Sequence, residues 1–314
     1  MAIALDRLRV DAARLRQVAL TELFDADPER CRSLSFRHGP VYADLSRQRI
    51  DKAALASLIH AARDAGLAQA IEGLFAGAEV NVSERRPALH TALRGVGPAD
   101  AVRRASDALE RMERLIELLR HDPSSTFGMN RVTDVVSVGI GGSDLGPRLL
   151  LDALERRSRG LPRVHFVSNV DGDVLQRLLP RLDPGSTLVV LISKSFGTSE
   201  TLINGHSLIE WMQRHHGGNR EAALRQFMAV TADADRAATF GIARSRILPL
   251  WPWVGGRLSL WSCVGFAVAL AVGPGVFRRL LQGAASMDEH FRDAPLEVNL
   301  PVLLAQVGLW NRNL

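Results

Sequence analysis

Lysine, cysteine and tyrosine are nearly absent from this 314-residue chain, which has two cysteines, one tyrosine and, among 39 basic residues, only Lys52 and Lys194 as lysines. Cys31 and Cys263 lie far apart and belong to no CxxC or Cys/His cluster. That argues against a zinc site or a disulfide framework and fits a reducing, cytoplasmic setting. Aromatic residues make up 5%, and the formal charge of +5 is scattered as arginine pairs (Arg85-Arg86, Arg103-Arg104, Arg156-Arg157, Arg278-Arg279). A nucleic-acid face gathers its charge and adds stacking aromatics, so no nucleic-acid partner is expected. Asp6, Arg7, Arg9 and Asp11 interrupt the N-terminus, which therefore lacks the apolar core of a signal peptide. The longest uncharged stretch, Leu258 to Phe277, has bilayer length but carries serines, Cys263, many small residues and Gly273-Pro274. It reads as a helix buried against a sheet, and no membrane partner is expected.

What is present is a globular composition, 46% hydrophobic with 23% charged residues, in a length that suits about two domains of ~150 residues. Apolar residues recur at helical spacing over Leu5 to Leu23, Ala53 to Ala62 and Ala68 to Leu74, broken by Gly39-Pro40 and Pro87, so the leader reads as all-α. A further helical run, Ala99 to Leu119, ends near Asp122-Pro123-Ser124-Ser125. Beyond it the period changes. Val132 to Val138, Val164 to Ser168, Thr187 to Ile192, Phe227 to Thr231 and Arg246 to Leu250 read as strands. Helical segments are expected at Leu145 to Arg156, Asp173 to Leu182, Thr198 to Arg214, Ala234 to Phe240 and Leu258 to Val272, and again at Pro301 to Trp310. Such alternation predicts an α/β fold, a five-stranded parallel sheet with helices on both faces in the flavodoxin-like manner, preceded by a helical leader. The expected divisions are 1–122 for the leader, 123–283 for the sheet domain and 284–314 for the start of another domain.

Two loops stand between strand and helix: Gly139-Ile140-Gly141-Gly142-Ser143-Asp144-Leu145-Gly146-Pro147, and Ser193-Lys194-Ser195-Phe196-Gly197-Thr198-Ser199-Glu200-Thr201. A helix start offers unpaired N–H groups and the positive end of a dipole, glycine lets that backbone approach an anion, and hydroxyls complete a phosphate cradle. Lys194 places one of two lysines inside the hydroxyl cluster, where an ammonium acts as a compact point charge. The first loop satisfies two glycines of G-x-G-x-x-G, but Asp144 holds the third position, and neither loop contains G-x-x-x-x-G-K-[ST]. A dinucleotide site and a P-loop are both disfavoured. A small phosphorylated ligand held mainly by the second loop remains.

At these residues the sequence resembles the glucose-6-phosphate isomerase family. Its first sugar-isomerase (SIS) domain carries, in order, loops like Gly139 to Pro147 and Ser193 to Thr201 and a segment like Val254-Gly255-Gly256-Arg257-Leu258-Ser259. Asn81-Val82-Ser83-Glu84 and Leu89-His90-Thr91-Ala92-Leu93-Arg94 resemble the family's leader. Leu258 replaces the family's aromatic, Ser195 its threonine, and Gly197 removes a hydroxyl many members have. The resemblance implies that Ser193, Lys194, Ser195 and Thr198 hold the sugar phosphate, that Gly142 and Ser143 line the sugar, and that Arg257 stabilises an enediolate. It implies no metal or cofactor, and a homodimer for the full-length family.

The family's general-base glutamate, in a Gly-Glu-Pro-Gly-Thr-Asn-Gly-Gln-His-like stretch, has no counterpart before Leu314, nor have its ring-opening histidine and late lysine. The chain is therefore expected to be the N-terminal part of an isomerase, without a base of its own and inactive alone. The alternative is a non-catalytic phosphosugar-binding module.

Overall fold

The computed structural model describes residues 2–154 and 162–313. It divides into two compact units, one made of residues up to Val80 with those from Ala284 on, the other of Asn81–Gly283. The boundary expected at 122 falls inside the second unit.

In the first unit, helices Ala2–Leu15, Leu20–Ala26, Lys52–Asp64 and Leu67–Ala76 occupy the spans where apolar periodicity predicts them. The run Leu5 to Leu23 is divided between two of them, and the leader is not purely helical. Strands β1 (Ser35–His38) and β2 (Val41–Asp44) pair antiparallel about Gly39-Pro40, in the register His38 with Val41 and Ser35 with Asp44. Gly39 has φ 54, the conformation the reversal demands and glycine adopts without cost. Four-residue strands carry too short a period to outweigh the flanking helical pattern. Leu300–Asn313 extends the helix expected at Pro301 to Trp310, with Asn299 Oδ1 accepting from Val302 N at 3.3 Å as its cap.

The second unit holds the parallel sheet. Its strands are β3 (Asp134–Val138), β4 (Arg163–Val167), β5 (Thr187–Ile192), β6 (Phe227–Thr231) and β7 (Ile247–Pro249), in the spatial order β4-β3-β5-β6-β7. Each lies within a residue or two of its predicted span. Alternate side chains of β5 separate onto two faces: Leu188, Val190 and Ile192 join a core with Met112, Ile116, Phe266 and Leu270, whereas Val189 and Leu191 join Leu208, Ile209 and Met212. Every residue of β5 is buried, which is why it reads as a continuous apolar run rather than an alternating one. The helix Ala99–His121 packs on the first of these faces.

Three expectations for this unit change in detail. The single helix at Leu258 to Val272 is instead two 3-10 turns, Gly256–Trp261 and Cys263–Gly265, followed by the helix Phe266–Val272. Ser262 causes the break: its backbone is extended and its hydroxyl accepts from Val264 N at 3.2 Å, starting a new turn. No described helix is long and apolar enough to cross a membrane. Second, Pro180 converts the end of the expected Asp173 to Leu182 helix into a 3-10 turn, Leu179–Arg181, after the helix Gly172–Leu178. Third, the helix Pro274–Asp293 is not anticipated by the sequence, because Gly273-Pro274 reads as a stop; with Gly273 at φ 93 it ends one helix, and Pro274 opens the next. Leu145–Ala153 occupies most of the expected Leu145 to Arg156 helix, whose Glu155 and Arg156, like the Arg156-Arg157 pair, lie outside the described residues.

At the end of the sheet where β3 begins, Asp134 is buried and accepts from Arg163 (2.9 Å), His165 (2.8 Å) and Thr133 (2.8 Å). Burial raises the pKa of this carboxyl, but the three hydrogen bonds outweigh it and hold the value below the usual carboxylate range. A depressed carboxylate stabilises the fold above its unfolded pKa of about 3.9 and loses that contribution as pH falls through the folded value. Asp134→Asn is therefore expected to flatten the loss of stability below about pH 4 and to lower stability at pH 7 by about 1–3 kcal/mol. Urea unfolding midpoints between pH 7 and pH 2.5 measure both.

Candidate functional site

The strand order makes β3 and β5 neighbours whose connections leave in opposite directions, β3 toward β4 and β5 toward β6. Beyond the carboxyl ends of such a pair a parallel sheet opens a crevice. Both loops singled out in the sequence leave from there, 139–144 after β3 and 193–198 after β5.

The first loop forms a 3-10 turn, Gly141–Ser143, packed against the turn Gly256–Trp261 that carries Arg257. Gly142 is the point of contact. A Cβ there would overlap the Gly256 carbonyl and lie 2.9 Å from Arg257 N, so only glycine lets the two backbones meet. Gly139 is restricted likewise, since its Cβ would lie 2.7 Å from Ser143 Cβ and 3.0 Å from Ile192 O at the end of β5. Asp144, which disfavours a dinucleotide, is buried and paired with Arg148 at 2.9 Å. Arg257 itself is exposed, on a turn closed by Ser259 Oγ donating to Gly256 O at 2.7 Å.

In the second loop the Ser193 and Thr198 hydroxyls hydrogen bond to each other at 3.0 Å. Thr198 is also the residue preceding the helix Ser199–His215, yet its side chain does not cap it. The first-turn N–H groups of a 17-residue helix thus open on the loop without a side-chain cap. Ser195 is exposed on the same loop. Phe196, at φ 44, adopts a left-handed conformation rare for a bulky residue and is held by its buried ring, edge-on to Phe240 at 5.7 Å.

Lys194 directs its ammonium at the main chain, donating to Pro252 O (2.9 Å) and Val254 O (3.0 Å) just before the Gly255-Gly256-Arg257 run. Arg236 is a residue the sequence did not suggest. It donates to Ser195 O at 3.4 Å, and a Cβ at Gly197 would lie 2.9 Å from its Nη1. A side chain at Gly197 would therefore require the Arg236 guanidinium to shift. Nothing in the spacing of helix Ala234–Phe240 signals that contact.

Two pairings therefore come together, Gly142 with the Arg257 backbone and Ser193 with Thr198, while Lys194 joins the second loop to the residues preceding Arg257.

A family model described as phosphoglucose isomerase matches residues 44–314. The chain belongs to the phosphoglucose isomerase family. Glucose-6-phosphate isomerase of Stenotrophomonas maltophilia strain K279a is 49% identical over 315 residues, covering 98% of this chain and 59% of that protein. The Xanthomonas oryzae pv. oryzae strain PXO99A protein of that name is 48% identical over the same shares. Among solved structures, a glucose-6-phosphate isomerase from Chlamydia trachomatis superposes with a TM-score of 0.84 at 30% identity, covering 99% of this chain and 60% of that one. A hypothetical protein from Thermus thermophilus superposes with a TM-score of 0.51 at 31% identity, over 68% of this chain and 55% of that one. The chain spans about three fifths of the length of the curated relatives it matches. The five-stranded parallel sheet is that of the family.

Proposed function

We propose that this chain supplies the phosphate-holding and enediolate-stabilising part of a glucose-6-phosphate isomerase site, which interconverts glucose 6-phosphate and fructose 6-phosphate. The observation that carries this reading is the seating of Gly142 on the Gly256–Arg257 peptide, which fixes an arginine loop to the crevice where the hydroxyl-rich loop opens. Ser193, Lys194 (through its main-chain N–H), Ser195 and Thr198 hold the phosphate. The ligand replaces the Ser193–Thr198 hydrogen bond with bonds to its own oxygens and lies at the uncapped helix start. Gly142 and Ser143 line the sugar.

Moving a carbonyl between C1 and C2 requires removal of a carbon-bound proton and leaves negative charge on an enediolate oxygen. A guanidinium fixed beside that oxygen is stabilising where the charge develops, and Arg257 fills this role. Its side chain is exposed, paired with no carboxylate among the described residues, and its backbone is anchored. No general base is assigned among these 314 residues. A cytoplasmic setting, which the scarcity of cysteine fits, and a homodimer for the full-length family are part of the same reading.

Calorimetric titration with fructose 6-phosphate tests it. One site per chain is expected, with Kd of ~1 mM or tighter, competed by inorganic phosphate. The 314-residue chain alone is expected to show turnover far below an ordinary ~10 s⁻¹. A folded chain that binds no fructose 6-phosphate contradicts the site, and turnover within about tenfold of 10 s⁻¹ contradicts the absence of a base.

A further inference from the structure

We propose that Lys194 is a positioning residue: its ammonium, together with Arg86 and the Leu89 N–H, holds three successive carbonyls, 252 to 254, and so fixes the loop that presents Arg257. This deepens the reading above and rests on it for the role of Arg257. Pro252 O accepts from Lys194 Nζ at 2.9 Å and from Arg86 Nη1 at 3.1 Å. Trp253 O accepts from Leu89 N at 3.0 Å, and Val254 O from Lys194 Nζ at 3.0 Å. Three residues on, Arg257 N lies against Gly142. The loop is held at both ends, by donors at 252–254 and by the glycine contact at 256–257.

The other two donors, Arg86 and Leu89, come from a segment that the phosphate cradle leaves unexplained. Asn81-Val82-Ser83-Glu84 resembles the family's leader and has no part in the phosphate cradle as described above. Its Asn81 pairs with Arg86 in an antiparallel bridge, its Oδ1 accepts from Ser83 Oγ at 2.9 Å, and its Nδ2 donates to Glu84 Oε2 at 3.1 Å. Glu84 in turn pairs with Arg86 at 3.0 Å, orienting the guanidinium that reaches Pro252. Trp251 and Trp253 stack with ring centroids 4.7 Å apart, which stiffens the same arc. Burial and the neighbouring Arg86 push the Lys194 pKa below the usual lysine range, with Glu84 opposing. The Lys194 side chain is half-buried.

A lysine in a phosphate cradle and a lysine holding the arginine loop differ in what they stabilise. The former acts on the phosphate, which is the same in ground and transition states. The latter acts only where Arg257 meets developing charge. The probes are inorganic phosphate and a five-carbon phosphosugar hydroxamate, whose anionic oxygens mimic the enediolate, titrated into wild type, Lys194→Met, Arg257→Ala and the double variant.

Lys194→Met is expected to weaken the hydroxamate about 10–100-fold and phosphate less than threefold. In the Arg257→Ala background it is expected to add less than threefold, since the two residues act through one interaction. Parallel losses for both probes, or losses that multiply in the double variant, overturn the proposal. Hydrogen exchange of amides Val254–Leu258 provides a readout independent of ligand: at least tenfold acceleration in Lys194→Met, with β5 unchanged, is expected, and unchanged exchange overturns it. If the wild type fails to prefer the hydroxamate, the reading of Arg257 fails and the exchange result alone decides the positioning claim. Should Lys194→Met not fold, Arg86→Met, which removes the second donor to Pro252, is expected to shift both readouts in the same direction, and no shift overturns the proposal.

Discussion

Gly142→Ala is expected to abolish measurable fructose 6-phosphate binding, a loss above 100-fold, while the sheet stays folded. The added methyl has no flexible side chain to displace. It meets the Gly256 carbonyl and the Arg257 amide, both backbone, so the two turns must separate. Overpacking of this kind typically costs about 1–3 kcal/mol in stability, which a domain with its two cores elsewhere survives. The three atoms nearest the added methyl all belong to Gly256 and Arg257, none to the buried strands β3, β5 and β6. Affinity suffers more than stability, because the contact sets the distance between the sugar-lining loop and Arg257. Circular dichroism and calorimetry on the same sample check the result. Retained affinity within about threefold would show that the turns need not meet for binding.

Arg257→Ala separates the phosphate from the reacting end of the substrate. Loss of one donor aimed at developing negative charge typically costs about 10²–10³-fold, so hydroxamate affinity is expected to fall about 100-fold or more while inorganic phosphate binds within twofold. Arg257→Lys restores only part of the loss, because an ammonium cannot reproduce the planar fork of a guanidinium. Titration of three proteins with two ligands decides it. Hydroxamate binding that survives Arg257→Ala unchanged would move the chain toward a non-catalytic phosphosugar-binding module, which needs the phosphate loop and not the arginine.

The sheet is readable in the sequence because its strands are buried on both faces. Runs such as Thr187–Ile192 and Phe227–Thr231 carry β-branched and apolar residues without an internal polar break, and Ser193 follows the first and Ala232-Asp233 the second where the chain turns into a loop. The hairpin Ser35–Asp44 and the helix Pro274–Asp293 are not readable, the first because its strands are short and half exposed, the second because Gly273-Pro274 both ends a helix and begins one. At the candidate site the residue types can be picked out but not their directions. Lys194 sits inside a hydroxyl cluster in sequence, yet its flexible stem carries the ammonium to carbonyls about sixty positions away. Arg236 and Arg86 reach the loops through folding of distant helix and turn segments, a relation that local spacing does not encode.

The crystal structure of the chain with fructose 6-phosphate tests the central claim most directly. The expected result is a phosphate between the Ser193 and Thr198 hydroxyls at the start of helix Ser199–His215, with the sugar over Gly142 and its C1–C2 end toward Arg257. A phosphate bound elsewhere, for example in the arginine-lined cleft of Arg220, Arg225 and Arg246, or a sugar directed away from Arg257, would contradict it.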